Sequence, residues 1–304
     1  MISADTLQAA RARWAVGPVL RRGLLRASGR DARDYLHRMT TQEVNGLAPG
    51  GSAYFAVLSA KGHLLGEGHL LSADGGDVFL DVDPLAARDL RAHLERFVIM
   101  DDVVFEDLSD ALRVLPLVGP EAAARLGDRA VGAPQVENIR RGVPAIDLWL
   151  EEGAAESLRA ALVAEGAAAL DADDLEALRI LGGVARFGAD MDGARLPMEA
   201  GLTRAAISFG KGCYTGQEVV LRATARGHLQ KGLVQLALPS GAGAGTPLLA
   251  AGAEVGAVTS AADTPEGRVG LGYLRRAHWK VGERLAAGGG EAVVLRVVVE
   301  DGIA

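Results

Sequence analysis

The chain has 304 residues, 49% hydrophobic and 23% charged, with a net charge of −7; this is the balance of a packed globular protein of two or three domains. With 32 basic against 39 acidic residues there is no broad basic face for a nucleic acid, and no apolar run nears the roughly 18 residues of a membrane span. Asp5, Gln8, Arg11 and Arg13 interrupt the first twenty residues where a signal peptide needs a continuous apolar core, so a cytoplasmic, reducing setting is expected.

In chain order, Val19 to Leu25 reads as a strand and Asp31 to Met39 as a helix with Tyr35, Leu36 and Met39 on one face. Ala53–Leu58 and Leu64–Leu71 form a hairpin around Ser59-Ala60-Lys61-Gly62, followed by a strand Val78–Val82, a helix Pro84–Phe97 and a strand Val103–Leu108. Strands are next expected at Leu112–Leu115 and Ala145–Leu150, with a short helix Ala122–Leu126 between them. Glu152–Glu165 and Asp173–Leu181 read as helices, the second with Asp171 and Asp173 as candidate caps. Hairpins mixed with helices indicate an α+β class instead of a doubly wound parallel sheet.

From about His228 the character changes. Leu233–Leu238, Pro247–Leu249, Glu254–Ser260, Arg268–Leu274 and Ala292–Val299 are short β runs separated by glycine-rich turns, the spacing of a small antiparallel barrel. The boundary is placed near Gly227. Residues 1–226 then hold two α+β modules, the second over roughly 111–180, and residues 227–304 the barrel.

The only cysteine, Cys213, lies in Lys211-Gly212-Cys213-Tyr214-Thr215-Gly216-Gln217-Glu218. One thiol excludes an intramolecular disulfide and a structural zinc or iron–sulfur site. Flanking glycines leave room for approach, and Lys211, one of only four lysines among the 32 basic residues, is a positive neighbour that lowers a thiol pKa. Thr215 and Glu218 fit a capping box, which would place the thiol before a helix N-terminus that also favours a thiolate. A helix start with an incidental cysteine fits the same spacing. Upstream, Leu196-Pro197-Met198-Glu199-Ala200-Gly201-Leu202 sets one carboxylate in an apolar run. Such a group faces solvent, pairs with a local arginine such as Arg204, or awaits a ligand with paired N–H donors.

Together these segments carry a resemblance. Arg186…Gly188…Asp190…Asp192, the heptapeptide around Glu199, Ile207-Ser208-Phe209, the octapeptide 211–218, Arg222 and Arg226-Gly227-His228 resemble the YgfZ-type branch of the folate-dependent aminomethyltransferase (glycine-cleavage T-protein, GcvT-like) superfamily. Weaker likeness covers Arg30 to Val44 and Val269 to Arg275. The resemblance implies a ring of two ferredoxin-like α+β modules and a C-terminal antiparallel β-barrel around a folate pocket. It implies tetrahydrofolate as cofactor and iron–sulfur client enzymes as partners. Glu199 then matches the carboxylate that accepts the pterin's 2-amino and N3–H fork. Tyr214 and Arg226 fall among the cofactor-binding residues, with Arg226 in a basic patch with Arg222 and Lys231 that could also be a solvated linker face. Cys213 becomes the reactive or sulfur-handling group, tuned by Lys211.

One departure bears on activity. The transferases of this superfamily carry an aspartate pair in the hairpin, where this chain has Lys61-Gly62-His63-Leu64-Leu65-Gly66-Glu67. Leu65 and Gly66 take the aspartate positions, and Glu67, one residue on, is expected on the opposite face of the strand. Glycine-cleavage activity is therefore not expected, and a folate-dependent one-carbon transferase acting on a small amine remains the alternative. The six histidines show no metal-ligand spacing, and Gly270-Leu271-Gly272 is too short for a dinucleotide fingerprint.

Overall fold

Continuous or alternating apolar runs build the first sheet. In the computed structural model, which describes residues 1–225 and 229–299, strands Ser52–Leu58, Leu64–Ser72, Val78–Val82, Gly23–Ser28 and Val104–Asp107 lie in that order, every pairing antiparallel. Helices Ala32–Met39 and Pro84–Arg96 cover one face and bury Tyr35, Leu36, Leu90 and Leu94 against Leu25, Phe55, Leu70 and Leu80. Asp83 caps the second helix by accepting the Leu85 N–H at 3.0 Å, with Pro84 in the first turn where a missing N–H costs nothing.

The second sheet contains Arg113–Val118, Ala145–Leu150 and Gln135–Glu137, and it also takes Ala15–Val16 and Ala168–Ala169 at its far edge. The start of the chain thus joins this sheet, and Ile2, with Leu7 and Ala10 of helix Ala4–Ala12, packs in one cluster with Val118, Leu175 and Leu178. A two-residue strand has no period to read, so this exchange is invisible to spacing alone. Helix Ala172–Leu181 opens on a capping box: Asp171 accepts the Asp174 N–H at 2.8 Å and Asp174 accepts the Asp171 N–H at 3.1 Å. Asp171 is the cap; Asp173, the other candidate, lies inside the first turn.

The barrel is closed by six strands in the order Lys231–Ala237, Gly267–Arg275, Ala253–Thr264, Pro247–Ala250, Arg284–Ala287 and Gly290–Val297. Val234, Leu236, Leu248, Val258, Leu274 and Val294 fill its interior. The four-residue strand Arg284–Ala287, unforeseen in the sequence, completes the closure. The expected boundary at Gly227, and Arg226 with it, lie outside the described residues.

A buried charge network ties these parts together. Arg179, on helix Ala172–Leu181, donates to Asp190 at 2.6 Å, to Glu176 at 2.6 Å and to Ser260 of the barrel at 2.9 Å. Asp190 also accepts from Thr259, from Ser260 at 2.7 Å and from the Arg186 N–H at 3.1 Å. The Asp190 side chain is fully buried and that of Arg179 nearly so. Removing one partner of such a pair strands the other charge, so Asp190→Ala is expected to cost about 3–5 kcal/mol in urea denaturation. An Asp190→Leu, Arg179→Met double variant should lose less than the single one, and a loss below about 1 kcal/mol for Asp190→Ala would contradict the assignment.

Candidate functional site

The octapeptide 211–218 works first as a clamp. Lys211 is buried, and its ammonium donates to the carbonyls of His37, Thr40 (2.7 Å) and Gln42 (2.8 Å), at and just beyond the C-terminal end of helix Ala32–Met39. A cation suits that end of a helix, where carbonyls lack partners. Burial lowers the Lys211 pKa to about 8. Tyr214 packs into the core with Ala206, Ile207 and Val220, its ring 5.3 Å from the Lys211 Nζ, and burial raises its pKa to about 12. The Thr41 hydroxyl donates to the Ala206 carbonyl at 2.6 Å and the Ser208 N–H to the Thr41 carbonyl at 2.9 Å, closing the same seam.

The capping box at Thr215 does not form. The helix runs Gln217–Ala225, and the residue before it is Gly216 at φ +83. A Cβ at Gly216 would lie 2.7 Å from the Ser59 carbonyl oxygen, and one at Gly62 would lie 2.8 Å from Val219. Both glycines are therefore needed to seat the hairpin turn on the helix start. In this motif Cys213 is exposed while Lys211 and Tyr214 are buried around it. The ammonium expected to tune the thiol is spent on backbone carbonyls instead.

Glu199 lies on a turn whose carbonyl accepts the Leu233 N–H of the barrel at 2.9 Å. Its carboxylate is 8% exposed yet weakly partnered: the Leu196 N–H is at 3.4 Å and the Lys231 ammonium at 3.9 Å. Burial raises its pKa above the ordinary value, with Lys231, the Leu196 N–H, Arg195 and His63 opposing. Beside it is a cavity of about 240 Å³ lined by Arg195, Lys231 and Tyr273. Arg195 stacks over the Tyr273 ring at 4.0 Å, and the buried Tyr273 hydroxyl has no hydrogen-bond partner among the described residues.

A larger cavity, about 540 Å³, opens between the two sheets and helix Ala172–Leu181, and Glu67, His69, Arg140, Arg179 and Arg186 are among its lining residues. Here one expectation needs correction. Glu67 does point opposite to Gly66, but the Gly66 side faces Ala86 and Leu90 of a covering helix, so the opposite face is the one that lines the cavity. On that face Tyr54 stands across from His69 with ring centroids 5.1 Å apart, and its hydroxyl donates diagonally to Glu67 at 2.6 Å. Neither Cys213 nor Glu199 lines this cavity. Sequence reading missed Tyr54, His69 and Arg140; the alternation of Glu67 and His69 in an otherwise apolar strand was the available signal. Among the described residues no cluster of His, Cys, Asp or Glu could hold a metal ion, and no helix is long and apolar enough to cross a membrane.

Burial lowers the His69 pKa from 6.5 to about 3. The folded protein keeps this ring neutral while the unfolded chain takes up a proton below pH 6.5, so stability is present above that pH and lost as pH falls toward 3. In pH-dependent urea denaturation, His69→Gln should flatten the acid limb by about 1.4 kcal/mol per pH unit below pH 6.5. Parallel limbs for the two proteins would contradict a buried neutral His69.

Comparison with known proteins agrees with this geometry. Residues 3–133 match the GCVT N-terminal domain family and residues 230–300 the CAF17 C-terminal beta-barrel domain family. An aminomethyltransferase of Rubrobacter xylanophilus is 28% identical, covering 88% of this chain and 77% of the relative. A mitochondrial iron–sulfur cluster assembly factor IBA57 homolog of Mycosarcoma maydis is 28% identical over 77% of this chain and 59% of its own length. The tRNA-modifying protein YgfZ of Klebsiella pneumoniae is 28% identical over 68% of this chain and 66% of its own. The chain thus spans less than two thirds of the latter two relatives. The crystal structure of glycine cleavage system aminomethyltransferase T from Bartonella henselae superposes with a TM-score of 0.83 at 21% identity, covering 98% of this chain and 90% of that one. That likeness establishes the fold: mixed α+β with a closed barrel at the C-terminal end. The chain therefore carries a domain that matches the GCVT N-terminal family and a barrel that matches the CAF17 C-terminal family, on a GcvT-like fold.

Proposed function

We propose that this protein binds tetrahydrofolate and supports iron–sulfur cluster assembly or repair in client enzymes of the cytoplasm. The observation that carries the folate half is Glu199, a buried carboxylate whose nearest donors stand at 3.4 and 3.9 Å. A buried charge without close donors is costly, and a planar fork of ring N–H groups would satisfy it in bidentate fashion. The unpartnered Tyr273 hydroxyl and the Arg195–Tyr273 stack next to it fit a flat, polar-edged ring. Tetrahydrofolate would bring a one-carbon-carrying nitrogen to this position; the chain's own residues bind and orient the ring. Arg226, matched to the folate-binding residues by resemblance, stays in this proposal on that ground alone. Tyr214 contributes by fixing the loop from within the core instead of by contact in either cavity.

The iron–sulfur half is supported by the relatives named IBA57 and YgfZ, and by the way the clamp presents Cys213. The motif holds its neighbours rigidly and leaves the thiol open to a partner protein. A second reading, a folate-dependent one-carbon transferase acting on a small amine, is favoured by Glu67, which supplies the cavity with the carboxylate that the sequence had seemed to lack. Formation of methylene-tetrahydrofolate from candidate amines, abolished by Glu67→Gln, would establish that reading over the first.

Calorimetric titration is expected to show one tetrahydrofolate bound per chain, weakened about tenfold to a hundredfold in Glu199→Ala through loss of charge-assisted hydrogen bonds. Equal affinity for the two proteins would remove Glu199 from the site. Cys213→Ser should fold and bind folate as the parent does, yet fail to restore iron–sulfur enzyme activity in a strain lacking the protein. Full restoration would deny the thiol its role.

A further inference from the structure

The loop that follows helix Ala32–Met39 carries two of the three carbonyls that Lys211 grips, Thr40 and Gln42; the third belongs to His37 of the helix itself. His37 also meets this loop with its ring, and the two contacts made there compete for one atom. The Val44 N–H donates to His37 Nδ1 at 3.4 Å, and Oε1 of the Glu43 carboxylate stands 3.0 Å from the same nitrogen. A neutral ring with its hydrogen on Nε2 accepts the Val44 N–H and presents a lone pair to the carboxylate. A protonated ring donates from Nδ1 to Glu43 and leaves Val44 without that acceptor. Both bonds cannot hold at once.

Each partner has a reason to win. Val44 is fully buried with Tyr35, Leu36 and Met39, so losing its acceptor costs a buried hydrogen bond. A charged imidazole, in turn, suits the last turn of a helix and the carboxylate beside it. The other charges around the ring are already committed. Arg33, one turn back, donates to the carbonyls of Val44 at 2.9 Å, Asn45 at 3.1 Å and Leu47 at 2.5 Å. Arg38 is paired with Asp34 at 3.1 Å and with Asp101 at 2.6 Å, and Glu43 Oε1 also accepts the Gly46 N–H at 3.1 Å. Lys211 holds the His37 carbonyl, so its ammonium opposes a second positive charge on the same residue. Gains and losses of similar size on the two sides are the condition for a two-state element.

The consequence reaches Cys213 through the seam already described. The Thr41 carbonyl, between the two loop carbonyls that Lys211 grips, accepts the Ser208 N–H at 2.9 Å. A shift of residues 40–44 is therefore passed to the segment that leads into the octapeptide. We propose that His37 is a proton-operated switch on this seam. Neutral, it holds Val44 and the Lys211 clamp stays closed. On taking one proton from water it turns to Glu43, releases Val44, repels the Lys211 ammonium and loosens the loop that presents Cys213. The use of the switch, freeing the thiol at lower pH, rests on the reading of Cys213 as the reactive group; the switch itself does not.

The test is nuclear magnetic resonance of the isotope-labelled full chain between about pH 7.5 and pH 5, a window in which Lys211, at about 8, stays mostly charged. At the upper end the His37 ring nitrogens should show the Nε2–H tautomer. As the ring takes its proton, the Val44 amide proton should move upfield with the same midpoint. The Ser208 and Gln217 amides, bonded to Thr41 and Tyr214 on either side of Cys213, report the loop. Corrected for intrinsic exchange, their protection should fall about twofold to tenfold across the window, the worth of one hydrogen bond. In His37→Gln, whose amide oxygen accepts from Val44 at any pH, protection should stay flat. In Glu43→Gln, which removes the carboxylate, the fall should move to lower pH, and this variant decides the matter if His37→Gln does not fold. The proposal is overturned by a neutral Nδ1–H tautomer, by a Val44 amide that ignores the His37 titration, or by unchanged protection in the wild type. An equal fall in the wild type and in His37→Gln would overturn it too. None of these readings depends on whether Cys213→Ser restores iron–sulfur enzyme activity, so the switch and the thiol's role fail separately.

Discussion

The rest of the structure depends on one buried ion pair. Arg179 and Asp190 meet with almost no exposure to water, and each spends its remaining hydrogen bonds on a different part of the chain. Arg179 holds helix Ala172–Leu181 and the carbonyl of Val184; Asp190 holds the turn at Arg186 and the barrel residues Thr259 and Ser260. The cost of burying both charges is large, so the pair persists only because nearly every polar atom is satisfied. Its position explains why the cost is borne. Arg179, Glu176 and Arg186 also form a wall of the larger cavity, so the joint that docks the barrel is the same one that shapes the binding surface.

The octapeptide around Cys213 shows how a motif can be specific for structural reasons. Its lysine caps a helix end 171 residues earlier in the chain, its tyrosine fills the core, and Gly216 admits the backbone of a turn. Changing any of these would disturb the seam between the first sheet and the segment that follows Ala206. The exposed thiol has no such duty. That division of labour strengthens the assignment of chemistry to Cys213 more than a shifted pKa would, because it separates what the motif holds from what it offers.

Long, strongly periodic elements were legible in the sequence. The hairpin, the strands Val78–Val82 and Ala145–Leu150, and the helices starting at Pro84 and Glu152 lie where their apolar spacing puts them. What stayed hidden had no period or depended on tertiary contact. Ala15–Val16 and Ala168–Ala169 are too short to alternate, and Arg284–Ala287 exists because the barrel must close. The helix after Cys213 begins at Gln217, with Gly216 and not Thr215 before it, because Gly216 must meet the hairpin turn, a constraint that local propensity cannot express. Glu67 was read as facing away from chemistry because the sheet's covered face was unknown; Ala86 and Leu90 settle it. Arg140 and His69 carry no motif, and only the cavity brings them together.

The central claim is the proposal that Glu199, a buried and weakly partnered carboxylate, accepts the N–H fork of a pterin. A crystal structure of the protein with tetrahydrofolate tests this most directly. The account predicts the pterin's N–H fork on the Glu199 carboxylate. A bound pterin whose N–H fork makes no contact with Glu199 would contradict it.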